Sequence, residues 1–191
     1  HKKNGMVKII TGVRRCGKSY MLFKLFRDHL LGVGLKEDHI ISIALDDFGY
    51  RRLQNPDELY NYVKSQIVDK EDYYILLDEI QLVPEFESVI NGFLHIPNVD
   101  IYVTGSNSKF LSKDILTEFE GRGDEVHVLP LSFSEYYAFK QGEKGDAYDD
   151  YSVYGGLPAV ALMTTEEQKT NYLISQMKNV YLRDIILRYS V

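Results

Sequence analysis

Eight residues, Gly12-Val-Arg-Arg-Cys-Gly-Lys-Ser19, follow the apolar run Met6-Val-Lys-Ile-Ile-Thr11 and open a helical pattern. A strand that turns through glycines into a helix aims several backbone N–H groups at one point, a concave site for phosphate oxygens. In this spacing Gly12 permits the tight turn, Gly17 lets the backbone approach the phosphates, Lys18 reaches the β and γ oxygens, and the Ser19 hydroxyl ligates Mg²⁺. Val13, Arg14, Arg15, Cys16 and Tyr20 complete the candidate nucleotide-binding stretch. Arg14 and Arg15 read as solvated cations beside an anionic ligand, and Cys16 as a filler of the loop.

Further along, Tyr73-Tyr-Ile-Leu-Leu-Asp-Glu79 is an apolar run that ends in two carboxylates. Ligands of parallel sheets sit at the carboxyl ends of the strands, so Asp78 faces the same site as the loop and is a candidate Mg²⁺ holder. Glu79 is the candidate general base that polarises an attacking water. The competing expectation is that Asp-Glu caps the next helix. A third run, Asp100-Ile-Tyr-Val-Thr-Gly-Ser-Asn-Ser108, ends in neutral polar groups, of which Ser106 or Asn107 is the candidate partner for the γ-phosphate or the lytic water. Gln81 is a candidate water-orienting amide or a solvated helix-start residue. Arg122, in Glu120-Gly-Arg-Gly123, is a candidate arginine finger for a neighbouring subunit's γ-phosphate, or a loop arginine paired with a surface carboxylate. Asp46-Asp47 reads as a capping pair or as a pair facing the site, the tyrosines of 136–154 as the core of a small helical lid or as the lining of an adenine pocket or partner surface, and the histidines show no metal-ligand spacing.

Five runs rich in β-branched and aromatic residues must position these groups: Val7–Thr11, Ile40–Leu45, Tyr73–Leu77, Asp100–Thr104 and Glu125–Leu129. Each reads as a buried strand. Helical patterns separate them at Lys18–Leu31, Pro56–Val68 with Asn55 as N-cap, Glu85–Leu94 and Ser112–Phe119. The alternation predicts an α/β fold with a parallel sheet covered on both faces. After Pro130 the pattern becomes wholly helical, with a helix from Thr165 and a linker over Gly142–Asp150. The organisation expected is a core over 1–131 and a helical lid over 132–191.

The chain has 191 residues and a net charge of −6, from 22 Lys+Arg against 28 Asp+Glu. That balance argues against a dedicated nucleic-acid module, although a local basic patch stays open. One cysteine excludes an internal disulfide and fits a reducing, cytoplasmic setting. No apolar run approaches the ~20 residues that cross a bilayer. The absence of an initiating Met and the helical pattern at the end lead to the expectation of a piece of a longer protein.

With Gly12–Ser19, Leu77-Asp-Glu-Ile-Gln81, Val103-Thr-Gly-Ser-Asn-Ser108, Gly121-Arg-Gly123, Leu129-Pro-Leu-Ser-Phe-Ser-Glu-Tyr136 and Gly155-Gly-Leu-Pro158 in order, the chain resembles the AAA-type ATPase family of prokaryotic ATP-binding proteins. Members carry a further C-terminal domain. The resemblance implies a P-loop NTPase core with sheet order 5-1-4-3-2 and a small helical lid. It implies Lys18 and Ser19 on phosphate and Mg²⁺, Asp78 and Glu79 as above, a polar sensor at Ser106 or Asn107, and Arg122 at the position of an arginine finger acting between copies. It shows no clear lid arginine, since Arg183 and Arg188 lie without a supporting motif. The leading expectation is Mg²⁺-dependent ATP hydrolysis that drives conformational or assembly change of a larger protein, with a DNA or protein client. A small-molecule phosphotransferase and a nucleotide-dependent binding module with little hydrolysis are the alternatives.

Overall fold

The computed structural model describes residues 5–105, 119 and 121–178. Strand β1, Val7–Thr11, is buried along its whole length. It runs through Gly12–Gly17 into helix α1, which passes from Lys18–Tyr20 through a π-helical stretch, Met21–Phe26, to Arg27–Gly32. A 3-10 turn at Glu37–His39 leads to β2, Ile40–Ala44, and another at Phe48–Gln54 leads to α2, Pro56–Gln66. Then come β3, Tyr73–Asp78, a short turn at Ile80–Leu82, α3, Phe86–Leu94, β4, Val99–Thr104, and β5, Gly123–His127. Among the described residues four helices follow: α4, Phe133–Lys140, α5, Lys144–Tyr154, α6, Pro158–Ala161, and α7, Glu166–Gln176.

The strands form one parallel sheet in the order β2-β3-β4-β1-β5, which is the order the family resemblance implied. All four pairs are parallel, so β2–β3 and β3–β4, consecutive in the chain, are joined by crossovers through α2 and α3, while β4–β1 and β1–β5 pair strands distant in sequence. Val7, Ile9, Ile43, Ile75, Leu77, Ile101 and Val103 fill the core with Phe86, Ile90 and Phe93 of α3. Asn55 caps α2 as expected, its side-chain oxygen accepting from the N–H groups of Asp57 and Glu58 ahead of Pro56.

The chain divides into two compact units, His1–Thr11 with Lys18–His127, and Gly12–Gly17 with Val128–Val191. The second unit has its own aromatic core. Tyr136 is fully buried, its hydroxyl bonds to Asp150, and Phe133 packs against Tyr137, Tyr148 and Tyr151. The Lys169 ammonium closes on Asp150 and lies over the Tyr154 ring. Of the tyrosines of 136–154 only Tyr136 is buried, Tyr137, Tyr151 and Tyr154 are half-buried, and Tyr148 is exposed.

Two expectations are corrected. The stretch Gly142–Asp150 is mostly helix, because α5 starts at Lys144 and sets Tyr148, Tyr151 and Tyr154 three residues apart on neighbouring turns. The break spans only Gln141–Glu143, with positive φ at Gln141 and Gly142. The fifth strand starts two residues earlier than the Glu125–Leu129 run, at Gly123, and Asp124 to His127 are exposed. An edge strand leaves one side open, so its sequence lacks the apolar run of an interior strand. The predicted helix over Ser112–Phe119 lies outside the described residues except for Phe119, which is fully buried.

Candidate functional site

The carboxyl ends of β1, β4 and β3 bring the polar groups of the first unit to one level. Strand register pairs Ile10 with Thr104 and Leu77 with Val103, so Thr104 stands between the end of β1 and Asp78. Asp78 is buried, and the Thr104 hydroxyl donates to its Oδ1. The same hydroxyl accepts from the Glu79 N–H at 3.2 Å, and the Asp78 carbonyl accepts from the Leu45 N–H at 3.2 Å. Glu79 itself is left-handed, φ 54 and ψ 45, a conformation that costs a side chain about 1–3 kcal/mol and persists only where surroundings impose it. Its side chain makes no cap bond to the Ile80–Leu82 turn, so the helix-capping reading of Asp-Glu gains no support. The Gln81 amide donates instead to Glu79 Oε2, which ties this candidate water-orienting residue to the candidate base.

Lys18 begins α1 and is buried, while Ser19 and Tyr20 beside it are exposed. Ser19 offers a hydroxyl and Asp78 a carboxylate, the hard oxygen donors that Mg²⁺ prefers. The preceding loop has its own geometry. Gly12 has φ 143, Arg15 φ 65 and Gly17 φ 105, so the chain uses left-handed backbone three times in six residues. A Cβ at Gly12 would meet the Val128 carbonyl oxygen at 2.2 Å and Cys16 Sγ at 3.0 Å, which only glycine avoids. Cys16 is accordingly buried and fills the loop, and its N–H donates to the Val13 carbonyl. Val13 and Arg15 are exposed, and the Arg15 guanidinium lies 5.6 Å from the centre of the Tyr172 ring on α7. Arg14 is half-buried.

Arg122 lies at the amino end of β5, one residue before the Val7–Gly123 pair, and its guanidinium donates to the Asn91 side-chain oxygen on α3 at 3.1 Å. The Val7 N–H donates to its carbonyl. Arg122 thus lies at the amino end of β1, roughly 16 Å along the strand from Thr11 at 3.3 Å per residue. Asp47 caps Phe48–Gln54 by accepting from the Gly49 N–H, which is the bland role expected of Asp46-Asp47. Ser106, Asn107, Arg183 and Arg188 lie outside the described residues.

Two groupings escaped sequence reasoning. Thr104 is one, since it sits within a run that reads only as strand. The other is at the amino ends of β2 and β3, where the buried His39 has Asp38 2.7 Å from Nδ1 and Asp69 and Glu71 at 3.2 and 3.5 Å from Nε2. Burial alone would lower the His39 pKa, but the hydrogen bonds and charges of Asp38 and Asp69 raise it above the usual value. The Glu71 N–H holds the Asp69 carboxyl below its usual range, helped by His39. Thirty residues separate His39 from Asp69, so no linear spacing reveals the cluster.

A family sequence model described as an AAA domain matches residues 4–137. An uncharacterised protein of Haemophilus influenzae is 32% identical over 100% of this chain and 48% of its own length. An uncharacterised protein of Methanocaldococcus jannaschii is 30% identical over 97% of this chain and 43% of its own. The chain thus spans about half the length of the curated relatives it matches. Among solved structures, a DNA polymerase III gamma subunit-related protein of Thermotoga maritima has a TM-score of 0.53 at 14% identity, covering 84% of this chain and 53% of that one. C. elegans PCH-2 has a TM-score of 0.52 at 13% identity, covering 85% of this chain and 42% of that one. At such identities the structural likeness speaks for the fold.

Proposed function

The chain belongs to the AAA domain family, and we propose that it binds ATP with Mg²⁺ and hydrolyses the γ-phosphate. The observation that carries this reading is the pair Asp78–Glu79, a buried carboxylate held by the Thr104 hydroxyl and a strained one beside it, at the end of the sheet where β1 enters Gly12–Ser19. In this reading the N–H groups of Gly12–Ser19 take up phosphate oxygens and Lys18 neutralises the β and γ charge. Ser19 and Asp78 hold the metal, which when bound spreads the phosphate charge. Glu79 orients a water in line with the γ-phosphorus and accepts its proton, and Ser106 or Asn107 bonds the γ oxygens.

Val13, Arg14, Arg15, Cys16 and Tyr20 flank the ligand in this proposal. Residues 1–131 act as the catalytic core and 132–191 as its lid. The position of Arg122 at the far end of β1 from its own loop supports service to a second copy rather than to its own nucleotide. We assign the work of hydrolysis to conformational or assembly change of a longer cytoplasmic protein with a DNA or protein client. Among the described residues no helix is long and apolar enough to cross a membrane.

The bond from Gln81 to Glu79 favours a second reading, a binding module that turns over slowly until a partner frees the base. A binding and phosphate-release assay on wild type, Lys18→Ala and Glu79→Gln separates the readings. Hydrolysis requires Mg²⁺-dependent release by wild type, loss of ATP binding in Lys18→Ala, and retained binding without release in Glu79→Gln. Tight binding with no release by wild type leaves the module, and transfer to an added acceptor in place of water makes the protein a phosphotransferase.

A further inference from the structure

One hydroxyl organises both candidate carboxylates. Thr104 is fully buried at the end of β4, and its β-branched side chain has few rotamers to choose from. Its Oγ1 donates to Asp78 Oδ1 and accepts from the Glu79 N–H, so its single proton and one lone pair are committed to consecutive residues. With the Leu45 N–H, just past the end of β2, on the Asp78 carbonyl, the peptide between Asp78 and Glu79 is held from both sides, by β4 and by the chain leaving β2. That grip fixes the peptide plane from which Glu79 turns into its left-handed backbone. Thr104 therefore fixes two things at once: which way the Asp78 carboxylate faces, and where the chain leaves β3 and so where the Glu79 side chain points.

We propose that Thr104 is the positioning residue of the nucleotide site, orienting Asp78 toward its metal and Glu79 toward its water through one shared hydroxyl. The assignment rests on the reading of the site as a Mg²⁺–ATP site. It makes metal affinity and turnover depend on a residue that touches neither ligand. Groups that orient a metal-holding carboxylate typically change affinity about 10- to 100-fold when removed. Loss of the bond to Glu79 adds a separate effect on turnover, because a displacement of about 1 Å in the base is enough to slow proton transfer about 100-fold.

The test compares Thr104→Val, which keeps shape and removes the hydroxyl, with Thr104→Ser, which keeps the hydroxyl. Binding of a fluorescent ATP analogue is titrated with and without Mg²⁺, phosphate release is measured in parallel, and amide hydrogen exchange is followed at Glu79. Thr104→Val is expected to need about 10- to 100-fold more Mg²⁺ for the same affinity, to leave metal-free nucleotide affinity near wild type, to lower kcat more than it changes KM, and to speed exchange at Glu79. Thr104→Ser is expected to restore all four. Wild-type Mg²⁺ dependence and kcat in a folded Thr104→Val overturn the positioning role while leaving hydrolysis intact. Equal loss of metal-free and Mg²⁺-linked affinity marks a merely structural residue and also overturns it. A wild type that neither binds nor hydrolyses ATP overturns the site reading itself, and this assignment with it.

Discussion

Strand β3 carries an acidic pair near each end, and the two pairs are held in opposite ways. Before the strand, Asp69 and Glu71 face the buried His39, Glu71 also meets the Lys36 ammonium at 2.9 Å, and Asn98 donates to the carbonyls of both acidic residues. Charge is matched by charge there, and the loop makes an ordinary polar seam between strand entries. After the strand, the buried Asp78 is held by a neutral hydroxyl, and Glu79 stands on left-handed backbone. A buried carboxylate restrained by a hydroxyl is an expensive arrangement for stability alone. The contrast teaches that composition does not separate the ends of β3; the partners and the backbone do. Strained backbone sits at the carboxyl end, where ligands of parallel sheets bind.

Matched substitutions test that contrast most severely. Glu79→Gln is expected to lower kcat about 100- to 10,000-fold, the range general base catalysis contributes, with little change in ATP affinity or Tm. Glu71→Gln is expected to leave turnover within about twofold and to cost under about 1 kcal/mol of stability, because its carboxylate and its Lys36 partner are exposed. Steady-state kinetics and thermal melts on both variants check this. Equal effects would erase the distinction between the ends.

Glycines give a second pair. Gly12→Ala drives a Cβ into the Val128 carbonyl at φ 143 and is expected to cost about 2–4 kcal/mol or to prevent folding. Gly34, with φ 94 but open space around its Cβ position, is expected to cost only about 1 kcal/mol as alanine. Denaturant midpoints measure both. A tolerated Gly12→Ala would mean that the loop relaxes freely and is not held to its observed path.

The smallest effect lies in the pH profile of the His39 cluster. Its folded pKa is raised, so the stability it contributes is fully present below the ordinary value of 6.5 and lost as pH rises through the higher folded value. Asp69 is lowered from 3.8, so its contribution is present above that value and lost as pH falls through the folded one. Tm should therefore be highest between about pH 4 and 6.5 as far as this cluster is concerned. His39→Gln should flatten the alkaline limb and Asp69→Asn the acid limb, with turnover near wild type in both. A change in turnover as large as that of Glu79→Gln would overturn the separation of roles.

The sequence read the interior of this molecule better than its edges. Val7–Thr11 was legible as a strand to the residue, because every position is apolar or packs inward, and Asn55-Pro56 announced the start of α2 through local capping chemistry. The strand-to-glycine turn before Lys18 and the carboxylates that end β3 were legible from short-range residue spacing, and the structure places them at the same end of the sheet. The start of β5 was not, since an edge strand with the sequence Gly-Asp-Glu-Val-His carries no apolar signature. Helix α5 was hidden for a related reason: its tyrosines and charges look like loop until Asp150 meets Lys169 and Tyr136 across the unit. Thr104 and His39 depend on partners 25 and 30 residues away in the chain, and only the register of the sheet brings them together.

The central claim is that this site activates water against a γ-phosphate, and turnover of Mg²⁺–ATP in ¹⁸O-labelled water tests it most directly. The account predicts one ¹⁸O incorporated per phosphate released by wild type, and release slowed at least about 100-fold in Glu79→Gln with ATP still bound. Unlabelled phosphate, or equal labelled release from Glu79→Gln, would contradict it.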